Sequence, residues 1–278
     1  MSRRTPSKIA LSLYGLLFFV FLYAPIVLIV IYSFNANPVN MMIWDGFTFD
    51  WYRAIFGQST KISESSLYVE STSQLYAAVR TSLMAALIAS TISTIFGTCI
   101  AIAVYRFRFR LRGLYRALMY MPMMMPDIVL GISLLIFFVS AGISLSTVTI
   151  IIGHCTFLVS YVFIVVSARL ADMDNTLEEA SADLGASGWE TFRRVTLPLI
   201  LPGVVGGWLL AFIISMDDLV ITYFIAGVDS TTLPVFIYGM LRRGIKPEVN
   251  AIATMMLLFS IVIASGGLYL RSGRKLRK

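Results

Sequence analysis

An all-α integral membrane fold with six transmembrane helices is what this sequence predicts, and three observations predict it. The chain is 58% hydrophobic and 13% charged over 278 residues, with a mean hydropathy of +0.83. Soluble domains run about a quarter charged. The apolar residues gather into six runs, each close to the roughly 20 residues that a helix needs to cross a bilayer. These runs are continuous and do not alternate, so helices, and not a closed barrel, satisfy their backbone in lipid.

The first run, 9–33, follows the basic start MSRRTPSKIA. It is too long for a signal-peptide core and lacks a small-residue cleavage pattern, so it reads as a retained span. Residues 34–74 form a polar outer loop carrying Trp44, Trp51 and Tyr52, with a short interfacial helix expected around DWYRAIF. The remaining spans are expected at about 75–104, 115–140, 148–168, 198–224 and 249–270, in a single transmembrane domain, 1–278. Before the last of them, LPVFIYGMLRRG predicts a short amphipathic helix, and Pro247 suits the first turn of the final span. Sixteen of the 22 Lys and Arg fall at the two termini and in the segments around 106–116 and 169–194. By the positive-inside rule those segments and both termini are expected to be cytoplasmic, as in a multi-pass membrane protein. The stretch YRFRFRLRGLYR alternates basic and apolar residues like a lipid or nucleic-acid contact, but such runs beside spans are mostly topology anchors. The chain lacks the basic soluble face that nucleic-acid binding requires.

The polar loop 169–197 is the most structured of the inner segments. Thr176-x-x-Glu179 and Ser187-x-x-Glu190 are both capping-box patterns, so two short helices are expected there. Gly185 lies between them, where a left-handed C-terminal cap favours a residue without Cβ. Pro198 fits the first turn of the fifth span. Leu177, Ala180, Ser181 and Leu184 share one face of the first helix, and Trp189, Phe192 and Val195 are offered by the second. Two readings stand side by side: a knob that docks onto another protein, and a connector packed under the bundle.

The residues of this loop carry a resemblance. Glu179-Ala180-Ser181, then Gly185, then Val195-Thr196-Leu197-Pro198 resemble the EAA loop of ABC importer permeases, E-A-A, three residues, G, nine residues, I-x-L-P. Ser181 and Val195 depart from the pattern by small or isosteric changes. The stretches YAPIVLIVIYSFN, MPDIVLGISLL, HCTFLVSYVFIVVSARL, SMDDLVITYFIAG and KPEVNAIATM, from residue 23 to about 256, resemble the permease subunits of bacterial spermidine/putrescine ABC importers. The resemblance implies a type I importer permease fold. It also implies a second, homologous permease, two ATP-binding subunits and an extracytoplasmic polyamine-binding protein as partners. In that family the loop is a coupling helix seated on the ATPase, which implies that role for Glu178, Glu179, Ala180, Ser181, Asp183, Leu184, Gly185, Trp189, Leu197 and Pro198. Consistent with such a division of labour, the sequence has no G-x-x-x-x-G-K-[ST]. ATP and its Mg ion are expected on the partner ATPase, and no cofactor or metal on this chain.

Three carboxylates interrupt the apolar runs: Asp127 in MMMPDIVL, and Asp217 and Asp218 in IISMDDLVI. An ionisable group within a span is costly unless it faces a cavity or a partner, so each is a candidate for the substrate pathway. Counting at 1.5 Å per residue puts Asp127 about 16 Å from Arg116 and Asp217 about 28 Å from Pro198. Pro122 and Pro126 predict a broken helix next to Asp127, the kind of break where transporters place substrate. A polyamine would suit carboxylates together with aromatic faces, for which Trp208, Tyr223 and Phe224 are the candidates. The structural alternatives are that Asp127 caps the resumed helix, and that Asp217 and Asp218 pair with Arg242 or Arg243 or with the second permease.

His154, the single histidine, reads as a hydrogen bonder between helices and not as a proton relay. Gly203, Gly206 and Gly207 permit close approach or a bend, Met121 to Met125 are adaptable filling, and Cys99 and Cys155 are small buried residues without metal spacing. No nucleophile–base or metal-ligand constellation supports an enzyme. A ferric-ion or thiamine permease is the alternative within the class. A self-sufficient secondary transporter would explain the carboxylates but not the doubly capped loop.

Overall fold

The protein is described by a computed structural model, which covers residues 6–37, 43–58, 60, 66–107, 109–174, 176–243, 249–255, 257–258 and 261. Helices account for all of the regular structure among these residues, apart from one isolated bridge between Asn35 and Phe47. Two compact units divide the chain, Met1–Ser73 with Ile237–Lys278, and Gln74–Phe236.

In the first unit, α1 (Pro6–Tyr32) is apolar all round, and none of its spanning window is buried within the protein. A helix of this kind is solvated by lipid or by another chain. The following loop is tightly built. The Trp51 indole donates to the Asn35 carbonyl at 2.8 Å, the Asn35 amide donates to the Ile43 carbonyl, and Phe34 packs its ring against Phe47, Phe49 and Tyr52. The short helix expected at DWYRAIF is α2 (Asp50–Ile55). The outer loop is shorter than the sequence suggests, because α3 (Ser66–Arg106) already begins at Ser66.

The second unit is organised around α6 (Thr147–Ala171). Its Leu158, Val162, Val166 and Leu170 recur every four residues and are all fully buried. Small residues bring the neighbouring helices close to that stripe, as expected where lipid gives no hydrophobic drive between helices. A Cβ on Gly97 of α3 would stand 2.8 Å from the Val162 Cβ. On α9 (Leu197–Asp217), Gly207 faces Val162 and Gly203 faces Arg169, whereas Gly206 meets no neighbour. The paired small residues therefore serve helix approach at two of the three positions expected.

Two spans are interrupted, the third beside Pro126 as the prolines predict and the fifth where a continuous helix was expected. The third is split into α4 (Arg112–Met124) and α5 (Asp127–Ser140), which diverge by 102° at Met125–Pro126. Pro126 has no N–H to continue the ladder and disfavours helical geometry in the residue before it; Met125 is extended, at ψ 138°. The count of about 16 Å from Arg116 to Asp127 presumed a straight helix, and the bend removes it. The fifth expected span ends early, at Asp217, and the chain resumes as α10 (Val220–Ile225). The amphipathic helix expected at LPVFIYGMLRRG is α11 (Leu233–Arg243). Of the sixth span, the described residues from 249 onward are helical; the rest, with Pro247, lies outside the described residues.

Candidate functional site

Two features of the second unit bear on function. The first is the polar loop after α6. Here α7 (Thr176–Asp183) ends in a Schellman motif, with the Ala186 N–H bonded to the Ser181 carbonyl and the Gly185 N–H to the Ala182 carbonyl. Gly185 sits at φ +82°, as its place in the sequence demands. The second capping box is complete: the Ser187 hydroxyl accepts from the Glu190 N–H, and the Glu190 carboxylate accepts from the Ser187 N–H at 3.0 Å. The first box is not formed as expected. Thr176 is already helical, and its N–H is taken by the Asp174 carboxylate at 3.0 Å. That bond, together with the Thr176 hydroxyl, holds the Asp174 carboxyl below its ordinary value.

The second short helix is not separate from the span. Helix α8 (Gly188–Thr191) passes through a π-helical turn, Phe192–Thr196, directly into α9, with the Leu197 N–H bonded five residues back to Phe192. Pro198 therefore lies inside one continuous 30-residue helical run. A π turn of this kind often marks a functional position. At its end Thr196 is buried, and its hydroxyl accepts from Arg106 of α3 at 2.9 Å. The Glu178 carboxylate of α7 accepts from both Arg106 and Thr196. Thus α3, α7 and the start of α9 meet at one charge-assisted knot. The sequence reading missed it, taking Arg106 as a topology anchor and Glu178 as part of the docking face.

The remaining candidates of the loop point away from this knot. Leu184 is 89% and Trp189 69% exposed, with Trp189 tilted against the Phe192 ring at 5.5 Å. Leu177, Glu179, Ala180, Asp183 and Pro198 are also exposed, and Leu197 is half-buried. Ser181 bonds Thr191 at 3.0 Å, so the residue that replaces the second Ala of the pattern ties α7 to α8. A connector packed under the bundle would bury its large apolar residues; this one holds them out.

The second feature is the pair of helix breaks. Asp218, at the break between α9 and α10, turns inward: Oδ2 accepts from the Thr222 N–H at 2.8 Å and the Thr222 hydroxyl at 2.6 Å, and lies 3.3 Å from His154 Nε2. Thr222 has one hydroxyl proton and gives it to Asp218, so His154 Nε2, 2.9 Å from the Thr222 oxygen, carries a hydrogen and donates. His154 Nδ1 meets the Ser215 hydroxyl at 2.7 Å. The histidine is a bonder between helices, as its sequence context suggests. The four-residue spacing of Asp218 and Thr222 was the signal for a local cap. Asp218 has His154 as its partner, while the side chains of Arg242 and Arg243 lie outside the described residues.

Asp217 and Asp127 are exposed instead. Asp127 opens α5 without a side-chain cap, since the capping position belongs to Pro126. A Cβ on Gly131 would reach within 2.8 Å of the Phe224 ring, and one on Gly227 within 2.1 Å of the Leu145 carbonyl oxygen. So α5 and α10 lie against each other and run in the same direction, which sets Asp127 at the end of α5 nearer the Asp217–Asp218 break. Tyr223 and Phe224 pack edge to face at 5.9 Å beside this contact. Trp208 stands apart from it, bonded to Thr91 of α3 at 3.1 Å and stacked on Phe212. No group of metal-ligating side chains occurs among the described residues.

Comparison with known proteins adds the following. Residues 93–278 match the model of the family described as binding-protein-dependent transport system inner membrane component. The chain is 38% identical to the putrescine transport system permease protein PotI of Escherichia coli K12, over 91% of this chain and 86% of that one. It is 39% identical to the spermidine/putrescine transport system permease protein PotC of Haemophilus influenzae, over 88% and 90%. Among solved structures, it is similar to a chain of a bacterial ABC transporter involved in import of the acidic polysaccharide alginate. That match has a TM-score of 0.68, covers 97% of this chain and 96% of that one, and is 15% identical. A chain of the MetNI methionine ABC transporter matches with a TM-score of 0.57 over 70% and 95%, at 19% identity.

Proposed function

The chain belongs to the family of binding-protein-dependent transport system inner membrane components, and on that premise we propose that it is the permease subunit of an ATP-driven importer of polyamines. The observation that carries the substrate class is the identity of 38–39% to permeases named for putrescine and spermidine, over nearly the whole chain. In this reading the protein forms half of a translocation pathway with a second, homologous permease. Two ATP-binding subunits sit beneath it, holding ATP and Mg, and an extracytoplasmic binding protein delivers the cation. Both termini and the loop 169–197 face the cytoplasm.

Coupling follows from the geometry of the loop. Leu184 and Trp189 project from a unit stiffened by the Schellman turn and the Ser187–Glu190 box, so they would seat in a cleft of the ATPase. A push on that unit has two rigid outlets. One is the unbroken helical run from Gly188 into α9, and the other is the Glu178–Arg106 pair to α3. Both lead toward helices packed on α6, and α9 ends at the Asp217–Asp218 break. A cation in transit would meet the exposed Asp127 and Asp217 near the Tyr223–Phe224 rings, where carboxylates and aromatic faces replace its hydration. Asp218, bonded to Thr222 and His154, holds the break in shape.

Co-expression with its ATP-binding and permease partners, followed by reconstitution, tests this. Replacing Leu184 and Trp189 together by Ala is expected to lower ATPase co-purification at least ten-fold, as interface anchors of this size do, and to lower spermidine and putrescine uptake with it. Retention of full uptake and full ATPase binding by that variant would refute the docking role. Uptake of neither polyamine by an assembled, ATP-hydrolysing wild-type complex would refute the substrate class.

A further inference from the structure

A cavity of about 350 Å³ opens between α3, α4 and α6, lined by Tyr105, Arg112, Arg116, Tyr120 and Ser167 over an apolar floor that includes Phe163. It touches the loop 169–197 only at its start, at Ala171, and lies apart from the exposed Leu184 and Trp189 and from the helix breaks. Small-ligand pockets run from ~300 to ~1,000 Å³, so the space suits a compact group. Its chemistry has one sign. Two guanidinium groups, two phenols and a hydroxyl line it, and among the described residues no carboxylate does.

The cations are poorly satisfied from within the protein. Arg112 makes a long contact to the Tyr105 carbonyl, at 3.5 Å, while its Nε is buried without a partner. Arg116 stands one turn further along α4, on the same face, and enters no ion pair or hydrogen bond among the described residues. The Arg112 Nε is a buried donor of a charged group and costly to leave unmade, and the exposed Arg116 stands beside it, so the two guanidiniums are arranged for an anion that binds there. Their planar forks match the oxygens of a phosphate.

The surroundings say which phosphate. Helix α4 buries none of its residues in the protein, although Leu114 and Leu118 are among its side chains, and it follows a segment that holds out Phe107, Phe109 and Leu111. Apolar side chains exposed beside a cationic pocket at the end of a spanning helix lie at the level of lipid headgroups. We propose that this cavity binds the phosphate of an anionic phospholipid headgroup, with Arg112 and Arg116 as its ligands and the exposed aromatic and leucine side chains beside the acyl chains. Tyr105, Tyr120 and Ser167 supply further hydrogen bonds from the walls. The lipid then fills the gap between α3, α4 and α6, beside the Arg106 knot.

The test uses the whole complex in nanodiscs of equal parts phosphatidylglycerol and phosphatidylcholine, with retained lipid measured by native mass spectrometry. Wild-type protein is expected to retain phosphatidylglycerol preferentially. Arg112→Gln with Arg116→Gln is expected to reduce that preference by about 25-fold, at about five-fold for each charge. Arg110→Gln, in the same basic stretch but outside the cavity, is expected to change it little. Equal losses in Arg110→Gln and the double variant would mean diffuse attraction and overturn the site. Displacement of the lipid by inorganic phosphate at millimolar concentration would overturn the lipid as its source. Unchanged lipid retention with loss of the second permease would assign the arginines to a protein carboxylate and also overturn it. Should the double variant fail to assemble, Arg116→Gln alone carries the same measurement. Both leaflets of the nanodisc are alike, so the result does not depend on which side is cytoplasmic or on the substrate carried.

Discussion

Asp218, Asp217 and Asp127 look alike in the sequence, as carboxylates in apolar context, yet only Asp218 has its oxygens taken by a threonine and a histidine of this chain. The difference makes opposite predictions. Asp218→Ala strands the Thr222 donors and His154 in a buried setting and is expected to cost about 2–3 kcal/mol, read as a lower melting temperature of the purified complex. Asp127→Asn and Asp217→Asn leave no buried partner behind. They are expected to melt like the wild type while lowering polyamine uptake roughly ten-fold, the scale of one charged hydrogen bond. A stable Asp218→Ala complex that no longer transports would move Asp218 from the scaffold to the pathway. Gly227 belongs to the same scale: a Cβ there would collide with the Leu145 backbone at 2.1 Å, so Gly227→Ala is expected to push the segment after α10 away from the start of α6 and to lower the yield of folded protein.

Among the elements, the loop behaves as an extension of α9 and not as a pair of short helices hung between spans. Its α8, π turn and α9 form one unbroken helical run, and the Arg106–Glu178 pair adds a second attachment. Arg106→Gln, Glu178→Gln and their combination should therefore be non-additive, with a coupling of about 0.5–3 kcal/mol in the stability of the complex. Additive effects would show that the knot carries no coupling. The caps can be separated from the residues proposed to dock. Ser187→Ala is expected to cost about 1 kcal/mol of local stability, detectable as faster hydrogen exchange over residues 187–191, while leaving Leu184 and Trp189 in place. Asp174 has a lowered carboxyl value, so its bond to Thr176 is present above the ordinary carboxylate range and is lost only as pH falls through the lowered value. Loop protection should thus be flat around neutral pH and weaken on strong acidification.

For the whole molecule, the topology is the outstanding expectation, and the exposed polar positions at opposite ends of α9–α10 allow it to be read. After replacement of Cys99 and Cys155, Asp183→Cys is expected to react with a membrane-impermeant maleimide from the cytoplasmic side only, and Asp229→Cys from the outside only. Both positions are exposed. Labelling of the two from one side would invalidate the assigned orientation. By itself the sequence determined the class of the molecule, because hydropathy and charge placement are local sums that lipid reads directly: continuous apolar runs become helices, and basic segments anchor their ends. It determined Gly185, the Ser187–Glu190 box, the short helices at DWYRAIF and LPVFIYGMLRRG, and a break next to Pro126, since caps, turns and prolines act within a few residues. Only the tertiary structure decided that the break bends the chain by 102°, that the loop is fused to α9, and where Arg106, Glu178 and His154 find partners. Arg106 and Glu178 are separated by 72 residues, and His154 and Asp218 by 64, so their pairing depends on helix packing that no local pattern records. An isolated side chain declares its chemistry in the sequence; whether it serves the scaffold or the pathway depends on which partners the folded chain brings to it.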